Sequence, residues 1–147
     1  METTVSLIQM LDARERRVQH QQALLAQYHK PLICFTMNIC GPVKDSPLIR
    51  RGFARGRQLL RQQFLRAKLV PLREDAIREV TGCEAFYVLD ADPLTIKKFT
   101  TDIEDATPLG RLFDMDVIRP NGRKVDREEL HLAGRRCLIC GGPAKVC

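Results

Sequence analysis

Residues 110–119 read Gly-Arg-Leu-Phe-Asp-Met-Asp-Val-Ile-Arg, in which apolar and acidic residues alternate from Phe113 to Val117. Side chains two residues apart on a strand point to the same side. Phe113, Met115 and Val117 therefore fill one face, whereas Asp114 and Asp116 share the other with Leu112 and Ile118. The pattern predicts a strand over residues 111–119. Asn121-Gly122 after it is a strong hairpin signal, so a return strand is expected to start at residues 124–126.

Apolar periodicity and turn residues on either side of this strand predict the other elements. We expect a long helix over residues 6–28 with Ser6 as its N-cap, and a buried strand over 32–39. A second helix is predicted over 48–69, a strand over 84–90 and a shorter helix over 93–104. This order indicates an α+β fold, a single domain with a mixed β-sheet flanked by helices. Residues 1–136 would form the functional domain and residues 137–147 a cysteine-containing tail.

Composition and charge narrow the class of protein. The sequence has 147 residues, 44% of them hydrophobic, and a net charge of +6. The first 80 residues hold 14 Lys/Arg against 7 Asp/Glu, which favours an anionic partner, either a polyanion or a phosphorylated cofactor. No targeting signal or membrane-spanning run is apparent. Cys34, Cys40 and Cys83 stand singly among apolar residues, as in reduced proteins of the cytoplasm.

Asp114 and Asp116 are the candidate catalytic residues. Their Cα atoms would lie about 7 Å apart on a rigid strand, and like charges so close favour binding of a divalent cation, Mg²⁺ by its preference for hard oxygen ligands. Such an ion can bridge phosphate oxygens during transfer. Gly110 would let the backbone approach a phosphate, and Arg111 could hold a phosphate oxygen bidentately. The alternative is an edge strand with two solvated aspartates.

Three further features each have two interpretations. Asp90 and Asp92 precede Pro93, where aspartate caps a helix or, alternatively, supplies a third metal ligand. Cys137, Cys140 and Cys147 have the spacing of a partial zinc site, with His131 as a possible fourth ligand, or are simply reduced thiols. The basic residues from Arg50 to Lys68 form either a solvated face or a docking surface for an acidic carrier protein or a polyphosphate.

Several stretches of the sequence form a recognisable series. They are Arg-Glu-Arg-Arg-Val near the start, Phe-Thr-Met-Asn-Ile and Gly-Pro-Val-Lys in residues 35–44, Ser-Pro-Leu-Ile in 46–49, residues 110–117, Asn-Gly-Arg-Lys in 121–124, and Arg-Arg-Cys-Leu-Ile-Cys-Gly-Gly-Pro-Ala-Lys-Val-Cys in 135–147. In this order, and over nearly the whole chain, they resemble the apo-citrate lyase phosphoribosyl-dephospho-coenzyme A transferases, also called holo-citrate-lyase synthases (the CitX family).

The resemblance implies a reaction: transfer of the triphosphoribosyl-dephospho-CoA group to a serine of the acyl carrier (gamma) subunit of citrate lyase, with release of pyrophosphate. It assigns Mg²⁺ binding to Asp114 and Asp116 and phosphate contact to Arg111, Asn38 and Lys44, and it suggests a nucleotidyltransferase-like fold. Asp116 is the candidate base. Family members are expected to continue past the final cysteine with a short basic, His-containing tail.

Two hypotheses from other classes stay open at this point. A small basic nucleic-acid-binding protein with a partial zinc site would bind in a salt-sensitive way and tolerate loss of Asp114. A non-catalytic assembly factor that binds only the carrier would also keep its function without the aspartates. The transferase hypothesis predicts normal folding but lost transfer in Asp114→Ala and Asp116→Ala.

Overall fold

A four-stranded antiparallel sheet lies at the centre of the computed structural model, which describes residues 2–132. The strands are β1 (Leu32–Met37), β2 (Arg73–Glu79), β3 (Gly82–Val88) and β4 (Phe113–Ile118), arranged in the order β2-β3-β1-β4. The helices are α1 (Leu7–Tyr28), α2 (Pro47–Arg66) and α3 (Pro93–Ala106), with 3₁₀ turns at Leu109–Leu112 and Arg127–Leu130. The α+β class is confirmed. Every strand pairing is antiparallel, so the sheet is not mixed as the sequence suggested.

The sheet separates two hydrophobic clusters because alternate side chains on each strand point to opposite faces. On one face, strand residues pack against α2 and α3. This larger cluster includes Ile33, Phe35, Tyr87, Phe113, Met115 and Val117 from the strands, and Phe53, Leu60, Phe64, Ile96 and Ile103 from the helices. On the other face, Leu24 and Leu25 of α1 pack with Leu32, Cys34, Phe86, Val88 and Ile118.

All three helices begin where capping residues satisfy their first backbone N–H groups. Ser6 accepts from the Gln9 N–H and Gln9 accepts from the Ser6 N–H, a capping box that confirms the predicted start of α1. Ser46 caps α2 and Asp92 caps α3, and each is followed by proline at the first helical position. Within residues 2–132, none of the helices combines the length and apolar character needed to cross a membrane.

Three local predictions differ from the structure. Strand β2 was not predicted, because Arg-Glu-Asp-Ala-Ile-Arg-Glu lacks an apolar alternation. The expected return strand after Asn121-Gly122 is reduced to one bridge, between Ile118 and Lys124. Residues 109–112 form a 3₁₀ turn, so β4 starts at Phe113 rather than at residue 111.

Candidate active site

Asp114 and Asp116 project from the same face of β4, as the alternation predicted. They lie opposite Thr36 and Cys34 of β1, respectively. Phe113, Met115 and Val117 on the other side of the strand are fully buried, whereas Asp114 is exposed and Asp116 half-buried. The buried side fixes the strand, and the two carboxylates are therefore held on a rigid support while remaining accessible.

Lys124 places a positive charge beside this carboxylate pair. Its Nζ lies 3.1 Å from Asp116 Oδ2. Asp116, together with the nearby Asp114, raises the pKa of Lys124. The two aspartates thus attract a cation in the folded protein. Lys124 was not among the predicted site residues, although Asn121-Gly122 predicts a hairpin here. The bridge between Ile118 and Lys124 puts the lysine on the aspartate face.

Charged groups continue from the aspartates toward α1. Thr36 lies between Asp114 and Glu84 in the strand register, and Arg17 of α1 donates to Glu84 Oε2 at 2.5 Å. Cys34, opposite Asp116, is buried and hydrogen-bonded to the side chain of Gln21. Burial raises the pKa of the Cys34 thiol to about 12, so this cysteine is no nucleophile near neutral pH.

The structure brings the predicted phosphate-contact residues to the same end of the sheet as Asp114. The Asn38 N–H, directly after β1, donates to the Leu112 carbonyl at 2.7 Å, which ties Asn38 to the turn that carries Arg111. Lys44 donates through Nζ to the carbonyl of Ile39. A phosphate that contacts Lys44 would have to replace or share that bond. Phosphate contact by these residues remains a prediction.

Gly110 has a packing role in the structure. It is buried, and a Cβ atom there would lie 2.5 Å from the Ile103 carbonyl oxygen and 2.6 Å from that of Glu104. Only glycine lets the 3₁₀ turn approach the end of α3 so closely. The predicted close approach of its backbone to a phosphate stays a prediction.

The remaining candidate ligands are distributed as follows. Asp92 accepts from the Thr95 N–H and is therefore a helix cap, and Asp90 pairs with Lys30 at 3.1 Å. The zinc candidates Cys137, Cys140 and Cys147 lie outside the described residues. His131 is exposed at the end of a 3₁₀ turn. Within residues 2–132, no group of three or more His, Cys, Asp or Glu side chains is arranged to hold a metal.

The basic helix α2 lies on the opposite face of the sheet from the aspartates. A groove beside the edge strand β2 is lined by the buried Phe53 and by four arginines. These are Arg50, Arg57 and Arg61 of α2 and Arg78 of β2. Arg57 donates to Tyr87 and to Glu74, and Arg50 pairs with Asp45. Strand order places this groove at the far edge from β4.

Two accessible carboxylates on a rigid strand, with the Lys124 ammonium 3.1 Å from Asp116 Oδ2, form a candidate site of the kind that group-transferring enzymes use. The family comparison agrees with this class. A family model described as CitX, apo-citrate lyase phosphoribosyl-dephospho-CoA transferase, matches residues 5–147. The chain belongs to this family, which confirms the resemblance seen in the sequence, and it is a group-transferring enzyme.

Curated relatives of this chain carry the same family names. Protein CitXG of Haemophilus influenzae is 36% identical over 143 residues, 97% of this chain and 31% of that protein. The apo-citrate lyase phosphoribosyl-dephospho-CoA transferases of Citrobacter koseri and Escherichia coli O1:K1 are 36% and 35% identical, and the matches cover 78% of each. The chain thus spans about a third of the first relative and over three-quarters of the other two. The comparisons do not favour the nucleic-acid-binding alternative.

Proposed function

We propose that this protein attaches the phosphoribosyl-dephospho-CoA group to a serine of the acyl carrier (gamma) subunit of apo-citrate lyase. The donor is triphosphoribosyl-dephospho-CoA. The serine Oγ attacks the phosphorus nearest the ribose, a new P–O bond forms, and the bond to the next phosphate breaks. Pyrophosphate leaves with the electron pair of that bond, and the product is a phosphodiester. The observation that carries the proposal is the exposed carboxylate pair on β4.

The carboxylates suit a divalent cation, which we propose is Mg²⁺. The donor set consists of hard oxygens, and the Lys124 ammonium at 3.1 Å from Asp116 Oδ2 occupies a position where positive charge is stabilised. Two protein carboxylates are enough, because Mg²⁺ is commonly held by one or two carboxylates plus substrate phosphates. When bound, the ion would offset the charge that grows on the phosphate oxygens.

This chain's own residues have separate tasks in the proposed reaction. Asp116 accepts the serine proton as the base. Lys124, already next to the carboxylates, is placed to neutralise phosphate oxygens, and Arg111 and Asn38 would orient the triphosphate from the adjoining turn. Lys44 would bind phosphate after release from the Ile39 carbonyl. The cytoplasmic location expected from the cysteines is part of the same proposal.

Mass spectrometry of the acceptor subunit tests the proposal. The full chain is incubated with apo acceptor, triphosphoribosyl-dephospho-CoA and Mg²⁺, and the acceptor should gain the mass of one phosphoribosyl-dephospho-CoA group. Asp114→Asn and Asp116→Asn should each lower the rate by at least about 100-fold, a range typical for loss of a group that stabilises the transition state. Asp102→Asn is the matched control, since Asp102 is an exposed aspartate on α3 that pairs with the exposed Lys98.

Both asparagine variants should fold, so a lower transfer rate would report on the reaction rather than on stability. Asp114 and Asp116 project from the accessible side of β4, so amide replacement leaves the buried residues untouched. An acceptor whose mass stays unchanged with the wild-type chain removes the transferase proposal. Full activity in both asparagine variants would remove the assigned role of the carboxylates while leaving the reaction itself intact.

A further inference from the structure

The structure points to the side of α1 that carries Leu7, Leu11 and Val18 as the docking surface for the protein acceptor. We call these three residues with Arg14 the α1 stripe. The occupant would be a segment of the acceptor that combines apolar side chains with at least one carboxylate. This inference rests on the proposed function, because it assumes that the group is transferred to a protein.

Contacts along α1 fix which way each side of the helix faces. Arg16 reaches Glu79 of β2 at 3.1 Å, and Arg17 reaches Glu84 of the next strand, β3. Gln21 bonds to Cys34 of β1. The sides of the helix that carry Arg16, Arg17 and Gln21 therefore face β2, β3 and β1 in turn. The next side round the helix in this order faces β4.

Leu25, further round the helix in the same direction, belongs to the buried cluster that contains Ile118 of β4. Residues at spacings of four and seven share one side of a helix, so Leu7, Leu11 and Val18 lie on the same side as Leu25. The α1 stripe accordingly faces the edge of the sheet that carries Asp114 and Asp116.

The stripe also extends past the end of the strands next to Asp114. A helix of 22 residues is about 33 Å long, whereas a strand of six residues spans about 20 Å. Arg17 contacts Glu84, which lies in the same row of the sheet as Thr36 and Asp114. The helix N-terminal to Arg17 therefore projects beyond this row, on the face of the sheet that carries the carboxylates.

The α1 stripe is apolar and uncovered within the described part of the chain. Leu7 is 74% exposed, Leu11 51% and Val18 43%. Single exposed apolar residues are ordinary, but three on one side of a helix beside a candidate site have the arrangement of helix-mediated recognition. The N-terminus of the helix is anchored, since Val5 N–H donates to the Pro42 carbonyl at 2.8 Å. The acceptor would thus meet a preformed surface.

Charge on the stripe favours an acidic partner. Arg14 lies between Leu11 and Val18 on the same side, and it is exposed. Asp12 points to the opposite side of the helix, and Glu15 only borders the stripe. A carboxylate in the acceptor would pair with Arg14, which steers association and sets the register of docking.

The arginine groove of α2 is the competing surface, and its position argues against it as the acceptor site. It lies beside β2, on the opposite face and at the far edge of the sheet from β4. An acceptor bound there would be separated from Asp114 by the whole sheet. The α1 stripe, by contrast, belongs to the helix that packs on the same face of the sheet as the carboxylates.

Steady-state kinetics with the apo acceptor tests the inference. Leu11→Glu and Arg14→Glu should each raise the KM for the acceptor by about tenfold or more, because each places a negative charge on the docking surface. The KM for triphosphoribosyl-dephospho-CoA and the kcat should change less than about twofold. Leu65→Glu is the matched control: Leu65 is an exposed leucine, 77% accessible, on α2 at the other face. Arg14→Lys should retain the wild-type KM.

Equal effects of Leu11→Glu and Leu65→Glu on the acceptor KM, or no effect of Leu11→Glu, would overturn the inference. So would a wild-type dimer in sedimentation that Leu11→Glu dissociates, which assigns the stripe to a second copy of the chain. A larger loss of thermal stability in Leu11→Glu than in Leu65→Glu would assign it to this chain's own residues. A wild-type chain that binds apo acceptor through the stripe but transfers nothing would refute the proposed reaction and leave the docking surface standing.

Discussion

Glu104 Oε2 accepts the backbone N–H of Met115 at 2.9 Å, at the one residue that separates the two aspartates. Among the strands of residues 2–132, β4 lies at the edge of the sheet, so this N–H would otherwise lack a partner in the described sheet. The other oxygen of Glu104 pairs with Arg127 Nη2 at 2.8 Å, and both side chains are almost completely buried. α3 thereby fixes the strand from which Asp114 and Asp116 project.

Removal of this carboxylate should weaken both the fold and the reaction. We expect Glu104→Ala to cost about 1–3 kcal/mol of unfolding free energy, because it removes the acceptor of the buried Met115 N–H and leaves Arg127 paired only with the half-exposed Asp105 among these two carboxylates. Glu104→Gln keeps an acceptor for Met115 and should cost less, with kcat closer to that of the wild type. Urea unfolding and single-turnover rates measure both effects. Asp105→Asn is the control, since Asp105 shares Arg127 at 3.0 Å but is half exposed; a loss of kcat there equal to that of Glu104→Ala would contradict the assignment.

Lys124→Met should increase the dependence of the protein on a divalent cation. The ammonium that now compensates Asp116 is lost, so the two carboxylates gain more from added Mg²⁺. The side chain is 61% exposed, and its ion pair should contribute less than about 1 kcal/mol without metal. Thermal melts with and without Mg²⁺ should show a larger upward shift in the variant.

Lys98→Met removes an equally exposed lysine, 60% accessible, from the pair with Asp102 on α3. Its melting temperature should respond to Mg²⁺ as the wild type does. The same shift in both lysine variants would show that the extra stabilisation does not come from the carboxylate pair on β4.

Acid should destabilise the contact between α1 and β2. Burial raises the pKa of Asp75, but hydrogen bonds from Arg73 and His20, at 2.7 and 2.8 Å, outweigh it, and the folded-state pKa is lowered. A lowered pKa stabilises the fold above the unfolded value of about 3.9, and this contribution is lost as the pH falls through the folded-state pKa. Asp75→Asn should therefore be less stable than the wild type at pH 6.

The difference between wild type and Asp75→Asn should shrink as the pH is lowered from about 5 to 2, because both then carry a neutral side chain at this position. Urea unfolding across this pH series measures it. Glu79→Gln, at the half-exposed pair with Arg16, should show a much smaller dependence. A difference that stays constant with pH would exclude Asp75 as the source.

Cys34 and Cys40 should differ in reactivity toward iodoacetamide at pH 8. Burial raises the pKa of Cys34 to about 12 and closes access to its sulfur, whereas Cys40 is exposed. Peptide mapping by mass spectrometry should find Cys40 alkylated and Cys34 unmodified until the protein is unfolded. Rapid alkylation of Cys34 in the native protein would mean that α1 opens away from the sheet.

Sequence reasoning found the aspartate pair because the signal is local: the period-2 alternation of residues 113–117 specifies which side chains share a face. Strand β2 was missed because ion pairs, rather than apolar alternation, attach it to the neighbouring helices; Glu74 contacts Arg57, and Glu79 contacts Arg16. These partners are remote in sequence and their charges look like those of any solvated segment.

Lys124 and Glu104, the two residues beside the aspartates that were not predicted, differ in how far the sequence could have indicated them. Lys124 was within reach of a local argument, since the hairpin at Asn121-Gly122 sets its register with Ile118. Glu104 was not, because its place beside Met115 depends on how α3 packs against the edge of the sheet. The local pattern thus predicted that the two aspartates share a face, whereas tertiary packing decides which residues hold their strand in place.

Substitutions at two glycines of α2 test how much space the packing beneath β4 leaves for an added side-chain atom. A Cβ atom at Gly56 would lie 2.4 Å from Phe35 Cζ. Phe35 cannot move aside, because it stacks on Phe53 with centroids 4.5 Å apart and meets the edge of Phe113, the first residue of β4. We expect Gly56→Ala to cost about 1–3 kcal/mol by overpacking, despite the higher helix propensity of alanine.

Gly52→Ala provides the matched comparison one turn earlier in the same helix. Its Cβ atom would lie 3.2 Å from Met37 Cε, the flexible end of a side chain that can shift. The gain in helix propensity, up to about 1 kcal/mol, should then equal or exceed the strain. Urea unfolding should rank the proteins as Gly52→Ala at or above wild type and Gly56→Ala well below it. If Gly56→Ala is as stable as Gly52→Ala, the aromatic cluster under β4 yields more readily than its contacts imply, and the rigidity attributed to the aspartate pair loses its support.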